Sequence, residues 1–182
     1  MTSLPAPSVL ETLLPPGRWV LDGSASAARF RIRHLGFATV RGRFHDLSGT
    51  VIVAADGSFE AEGAVEVASI DTGDGTRDGR LRGEGFFDAE RFPRIVFAAV
   101  HAAPRGLGAW TVDGELTMGG ETHPLSFLAW KPVVDDDTFV LRAEASLSRR
   151  AHGLDWPGLK QAGRAVVGDN VGIDLELVGR RA

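Results

Sequence analysis

The feature that most constrains this chain is a period-two alternation of apolar and charged residues that recurs along nearly its whole length. In residues 28–34, Ala28, Phe30, Ile32 and His34 share one face, while Arg29, Arg31 and Arg33 share the other. Such a run makes a strand with one buried face. Residues 59–69 repeat the pattern, with Phe59, Ala61, Gly63, Val65 and Val67 opposed to Glu60, Glu62 and Glu66. Residues 110–118, 139–148 and 171–178 alternate in the same way, and shorter runs at 39–53, 94–101 and 123–131 fit the scheme. The sum is about eight strands, separated by turn signals such as Asp56-Gly57, Gly119-Gly120 and the Asp135, Asp136, Asp137 cluster. The expected class is all-β. An antiparallel set of this kind can form a sandwich or close into a barrel, and closure also removes exposed edges.

Two segments break the alternation. Residues 71–93 are too long for a hairpin and hold a helical stretch near 77–82. Residues 150–169 carry Trp156-Pro157 and four glycines. Long loops on a rigid scaffold are where function concentrates. The inward faces are also unusually small at Ala61, Gly63, Gly114, Ala143 and Ala145. These positions either leave room for a ligand inside a barrel or let small residues face large ones across a filled interior.

Composition narrows the function classes. The chain has 182 residues, enough for one domain with a sizeable core. It has no cysteine, so thiolate chemistry, disulfides and cysteine-ligated metals are excluded. Net charge is −4, which gives no footprint for nucleic acid. Lys131 and Lys160 are the only lysines, and the many arginines read as spread along the chain rather than gathered at one site. His34, His45, His101, His123 and His152 lack metal-ligand spacing. No nucleophile-elbow, zinc-protease or phosphate-loop signature is present. The reading therefore carries no cofactor and no metal. No apolar window approaches the roughly 18 residues of a spanning helix. Residues 1–17 read as a Pro-rich arm, either disordered or carrying a short helix at 8–14, and residues 18–182 as the barrel domain. The arm lacks the basic start and unbroken apolar run of a secretion signal, which makes the cytoplasm the expected location.

An ordered set of motifs then points to one family. "WVLDGSASAARFRIRHLGFATVRGRF" is followed by "IDTGDGTRDGRL", "FFDAERFPRIVF", "VDGELTMGGETHPLSF", "SRRAHGL" and "VGDNVGIDLEL". Over residues 19–177 this series resembles the YceI-like family of lipocalin-like, polyisoprenoid-binding proteins. The resemblance implies an eight-stranded antiparallel lipocalin-like barrel, with one or two short helices in long loops near one end. It also implies an apolar channel that holds an isoprenoid chain, an isoprenoid quinone or a fatty-acid-like lipid. Ala25 stands before Ser26 where the family often has histidine, so a polar contact open to relatives is absent here.

Alternation assigns the channel-facing residues. These are Phe30, Ile32, Phe44, Val65, Val67 and Phe97 in the first half of the chain. Val112, Leu116, Phe127, Phe139, Leu141, Ala143 and Leu147 follow in the second. His34 is inward and serves either as a satisfied core residue or as a headgroup contact. Arg77 and Asp78 either brace their loop as a structural pair or meet a headgroup. Asp71, Asp88 and Asp169 fix turns or cap helix starts. Trp156 either roofs the channel or packs outside. The expected partner is a lipid ligand, with a homodimer as a further possibility. Two alternatives stand beside binding: an enzyme that uses the barrel as a dry chamber for an isoprenoid- or polyketide-like substrate, and a structural barrel with a filled interior.

Overall fold

The computed structural model describes residues 14–34, 37–154, 160–161, 164–165 and 167–182. In chain order the strands begin with β1 (Gly17–Leu21), β2 (Ala27–His34), β3 (Ala38–Phe44), β4 (Leu47–Val53), β5 (Phe59–Glu66) and β6 (Ile70–Asp71). The helix α1 (Gly75–Arg82) follows. Then come β7 (Arg94–Gly106), β8 (Ala109–Met118), β9 (Glu121–Trp130), β10 (Val133–Asp135) and β11 (Thr138–Ser148). The series ends with β12 (Lys160–Gln161), β13 (Arg164–Ala165) and β14 (Val167–Arg181).

These strands close into an eight-stranded antiparallel barrel. Three barrel positions are broken strands. β1 and β2 lie along the same edge of β14, β3 and β4 pair with them in turn, and β5 and β6 pair with β4 and β3. β7, β8, β9, β11 and β14 complete the ring. β14 closes it, pairing with β11 from Thr138↔Arg180 to Ser148↔Asn170 on one edge and with β1 and β2 on the other.

Each break has a local cause. Between β1 and β2, the Asp22 carboxylate accepts from the backbone N–H groups of Ser24 (3.1 Å) and Ala25 (3.2 Å). That turn replaces ladder bonds for the residues between the strands. Ser26 then bridges back to β14: its Oγ accepts from Val178 N–H at 3.0 Å. Ala25 is exposed. The expected strand over 59–69 stops at Glu66, where the β5–β7 register ends at Glu66↔Arg94. The next residue of the partner is Pro93, which has no N–H to pair. Its carbonyl instead accepts from Val67 N–H at 2.8 Å and starts a short 3₁₀ turn, Val67–Ser69.

The two ends of the barrel differ. At the floor, where Gly17 pairs with Val53 and Thr138 with Arg180, Trp19 is fully buried and meets Phe139 edge-on, with centroids 5.7 Å apart. Leu14 and Val53 complete that cluster, so the end of the Pro-rich segment plugs the barrel. Trp19 Nε1 donates to the Pro15 carbonyl at 3.1 Å, and the Arg181 guanidinium lies 4.5 Å above the indole. The other end is the mouth. It carries α1, the turn Arg150–His152 after β11, and the β2–β3 hairpin.

Candidate functional site: a cavity inside the barrel

Between floor and mouth the barrel encloses a cavity of about 700 Å³. That lies within the range of roughly 300–1,000 Å³ for sites holding small organic ligands. Among the residues assigned inward by alternation, Phe30, Ile32, Phe44, Val65, Phe97 and Val112 line it. So do Leu116, Phe127, Phe139, Leu141, Ala143 and Leu147, and so does His34, which is half-buried near the mouth. Val67, inward by alternation, does not line the cavity. The 3₁₀ turn takes it off the wall and buries it at 1% exposure, away from the cavity lining. Trp156 and the arm at residues 1–13 lie outside the described residues.

The small inward residues divide into two groups. Ala61, Gly63 and Ala143 line the cavity, and a Cβ placed on Gly63 would meet nothing nearer than the Ser48 carbonyl at 3.9 Å. Gly114 is already occupied: a Cβ there would lie 2.5 Å from the Phe97 ring and 2.3 Å from the Ala98 carbonyl. Gly42 under Phe30 and Gly179 under Phe139 are filled in the same manner. An inward glycine is thus either a seat for a ring or free volume, and alternation does not distinguish them.

Arg77 and Asp78 converge on one threonine. Asp78, at 5% exposure, accepts from Thr72 N–H (3.0 Å) and Thr72 Oγ1 (2.5 Å). Arg77 Nε donates to Thr72 Oγ1 at 2.8 Å, and its Nη2 to the Thr72 carbonyl at 3.0 Å. The pair braces the loop by holding Thr72 from both sides, and Asp78 lies off the cavity lining. Arg77 also lines the cavity, next to Thr72, Asp74, Thr76 and Arg80. The helix start is capped by Asp74, whose carboxylate accepts from Arg77 N–H at 3.0 Å. That backbone hydrogen bond, with the nearby Arg77 charge, holds the Asp74 carboxyl below its ordinary value. Asp71 instead accepts from Gly73 N–H at 2.9 Å and pairs with His45 Nε2 at 2.9 Å; the His45 contact is the main reason its carboxyl is held low. Asp88 occupies a turn at positive φ.

Sequence reasoning missed Arg149. It is 2% exposed, lines the cavity, and donates from Nη1 to the Leu154 carbonyl and from Nε to the Gly168 carbonyl at 3.3 Å. Its only signal in the sequence is its place in "SRRAHGL". Beside it, Asp169 accepts from Ser148 Oγ at 2.6 Å and from Arg150 N–H at 3.0 Å. The Ser148 hydroxyl is the largest cause of its lowered carboxyl. The alternating Val171, Ile173, Leu175 and Leu177 of β14 also line the cavity. They were legible as a strand face and belong with the channel set.

A family model described as a YceI-like domain matches residues 19–179. The chain belongs to the YceI-like family. The UPF0312 protein of Shewanella oneidensis is 32% identical over 110 residues, covering 59% of this chain and 58% of that protein. A UPF0312 protein of Shewanella denitrificans is 30% identical over 132 residues, 69% and 68% of the two chains. The first of these matches therefore spans under two thirds of its relative's length. Among solved structures, Burkholderia cenocepacia BcnA superposes with a TM-score of 0.76 at 23% identity, over 87% of this chain and 98% of that one. A polyisoprenoid binding domain from Saccharophagus degradans gives 0.70 at 16% identity, over 90% and 98%. At these identities the likeness is one of fold. For this YceI-like chain it establishes the lipocalin-like barrel, and no helix among the described residues is long and apolar enough to cross a membrane.

Proposed function

We propose that the barrel binds one amphiphile with a long apolar tail, the tail in the cavity and the polar head at the mouth, and releases it unchanged. The observation that carries this reading is the cavity itself, a 700 Å³ space walled by aliphatic and phenylalanine side chains and shut at one end by Trp19 and Phe139. Burying ~500 Å² of tail at about 25 cal/mol/Å² contributes a gross ~12 kcal/mol before ordering costs. Affinity then comes from apolar area, and polar groups set orientation. Family membership and the fold shared with a polyisoprenoid binding domain support an isoprenoid, an isoprenoid quinone or a fatty-acid-like chain as the cargo class.

Native mass spectrometry of freshly purified protein, with extraction of co-purifying lipid, tests the reading directly. Tryptophan fluorescence should also respond to added polyprenyl or fatty acyl ligands. Gly63→Leu extends a side chain into open volume, so it should weaken ligand binding while leaving thermal stability near normal. A protein that carries no lipid and gives no fluorescence response overturns the proposal, and so does ligand binding that is unchanged by Gly63→Leu.

A further inference from the structure

The barrel brings together arginines that are separated in the chain. Five of them, Arg29, Arg31 and Arg33 on β2 with Arg41 and Arg43 on β3, stand on the outer face of one hairpin, and all five are exposed. The register sets like charge directly against like charge: Arg29 faces Arg43, and Arg31 faces Arg41. Directly opposed like charges destabilise a strand pair. Acidic relief is partial. Arg31 lies across Gly172 of β14 and pairs with Asp174; Arg43 reaches Asp71 at 3.7 Å. Glu176, the next acidic residue on that face of β14, is taken by Arg142 at 3.2 Å. The Arg33 and Arg41 guanidinium groups have no hydrogen-bond or ion-pair partner among the described residues. On a chain of net charge −4, this is a cationic face kept at a cost to folding.

The hairpin tip adds a second observation. Phe37 is 84% exposed, immediately before β3. The tip belongs to the mouth end, since His34 at the end of β2 lines the cavity and pairs with Val167 at the start of β14. We propose that the outer face and tip of the β2–β3 hairpin dock the barrel onto an anionic bilayer surface, the arginines on lipid phosphates and Phe37 in the interfacial layer. Basic side chains gather at anionic leaflets by Coulomb attraction, and an adjacent aromatic adds apolar insertion. The docking would set the cavity mouth beside the membrane, where an amphiphile enters or leaves without crossing water. This role rests on the cavity reading for its purpose, and its surface chemistry can be tested apart from it. Nucleic acid is the other polyanion that five arginines would attract; the projecting Phe37 beside a lipid-sized cavity favours the bilayer.

Flotation with vesicles of phosphatidylglycerol and phosphatidylcholine, against vesicles of phosphatidylcholine alone, tests the proposal. The full chain should float with the anionic vesicles only, and high salt should release it. R33Q/R41Q should weaken partitioning about 25-fold, at about fivefold for each charge removed. Its melting temperature should be unchanged or higher, because Arg41 no longer opposes Arg31. Phe37→Ser should weaken partitioning several-fold with the salt dependence intact. Equal partitioning to both vesicles, or R33Q/R41Q floating like the parent, overturns the proposal. So does tight binding to single-stranded RNA that survives Phe37→Ser while vesicles are ignored. Fluorescence titration with ligand in vesicle-free solution separates the two readings. A chain that takes ligand but ignores anionic vesicles overturns docking alone; one that floats with them but takes no ligand upholds docking and overturns the cavity reading.

Discussion

The floor and the mouth of this barrel are built from opposite materials. The floor is aromatic and dry: Trp19 is fully buried, Phe139 packs on its edge, and Leu14 seals them from below. The mouth is polar and hydrogen-bonded, with Thr72 clasped by Arg77 and Asp78, and Arg149 spanning the Leu154 and Gly168 carbonyls. The floor gains stability from apolar area removed from water. The mouth gains geometry, because each buried donor must find its acceptor and so fixes where the loop runs. A container needs both, since a plug at each end would leave no entry and two open ends would leave no seat.

That contrast predicts where stability resides. Trp19→Ala should cost about 3–5 kcal/mol, the largest effect expected of any single change here. Chemical denaturation read by circular dichroism measures it. A loss below about 1 kcal/mol would show that the floor is not the anchor. At the mouth, Asp78→Ala leaves the Thr72 N–H and hydroxyl without their acceptor. About 1–3 kcal/mol should be lost, with faster hydrogen exchange confined to residues 72–82. Exchange that quickens equally across the barrel would break the distinction between the two ends.

The wall between the ends can be sharpened with two glycines beside one ring. Phe97 faces Gly63 across β5–β7 but leans onto Gly114 of β8. Gly114→Ala should cost about 1–3 kcal/mol by overpacking. Gly63→Ala should change stability by about 0.5–1 kcal/mol or less, in the favourable direction. Thermal melts of the two variants decide it, and equal losses would mean that Phe97 packs against both.

Acid gives the smallest effect. Asp71, Asp74 and Asp169 at the mouth all have carboxyls held below the ordinary 3.8, by the His45, Arg77 N–H and Ser148 contacts respectively. A depressed folded-state value means that the unfolded chain takes up protons first as pH falls. The contribution is therefore complete well above pH 3.8 and is lost as pH drops through and below it. These groups are exposed, so solvent screens them and the loss should be gradual. A melting temperature that is flat through the acid range would contradict the assignment.

Much of this was legible in the sequence because a strand writes its two faces in alternate letters. Phe30, Ile32, Leu141 and Leu147 line the cavity as the period required. Legibility failed where tertiary pairing outranked period. Val67 continues the alternation perfectly, yet the proline opposite the end of its strand sends it into a turn. Gly63 and Gly114 read alike, and only the tilt of Phe97 separates them. Asp71 takes the turn-fixing role of the two open to it, and the helix cap is Asp74, which the sequence reading did not name, because capping depends on which residue turns out of helical conformation. The arginines of β2 and β3 read as dispersed because the register that opposes them is a property of the folded hairpin.

β14 has one further consequence, for the order in which this container is made. Among the described strands it alone joins β11 on one side to β1 and β2 on the other, and its Val178 is bonded to Ser26 across 152 residues of chain. Pairings of such long range form late, because loop-closure entropy must be met before they return any stability. Until that seam is zipped, the apolar inner faces of the earlier strands have no opposite wall. The interval before closure is thus when those faces are most open to aggregation, and an apolar guest present then would shield them as the walls meet.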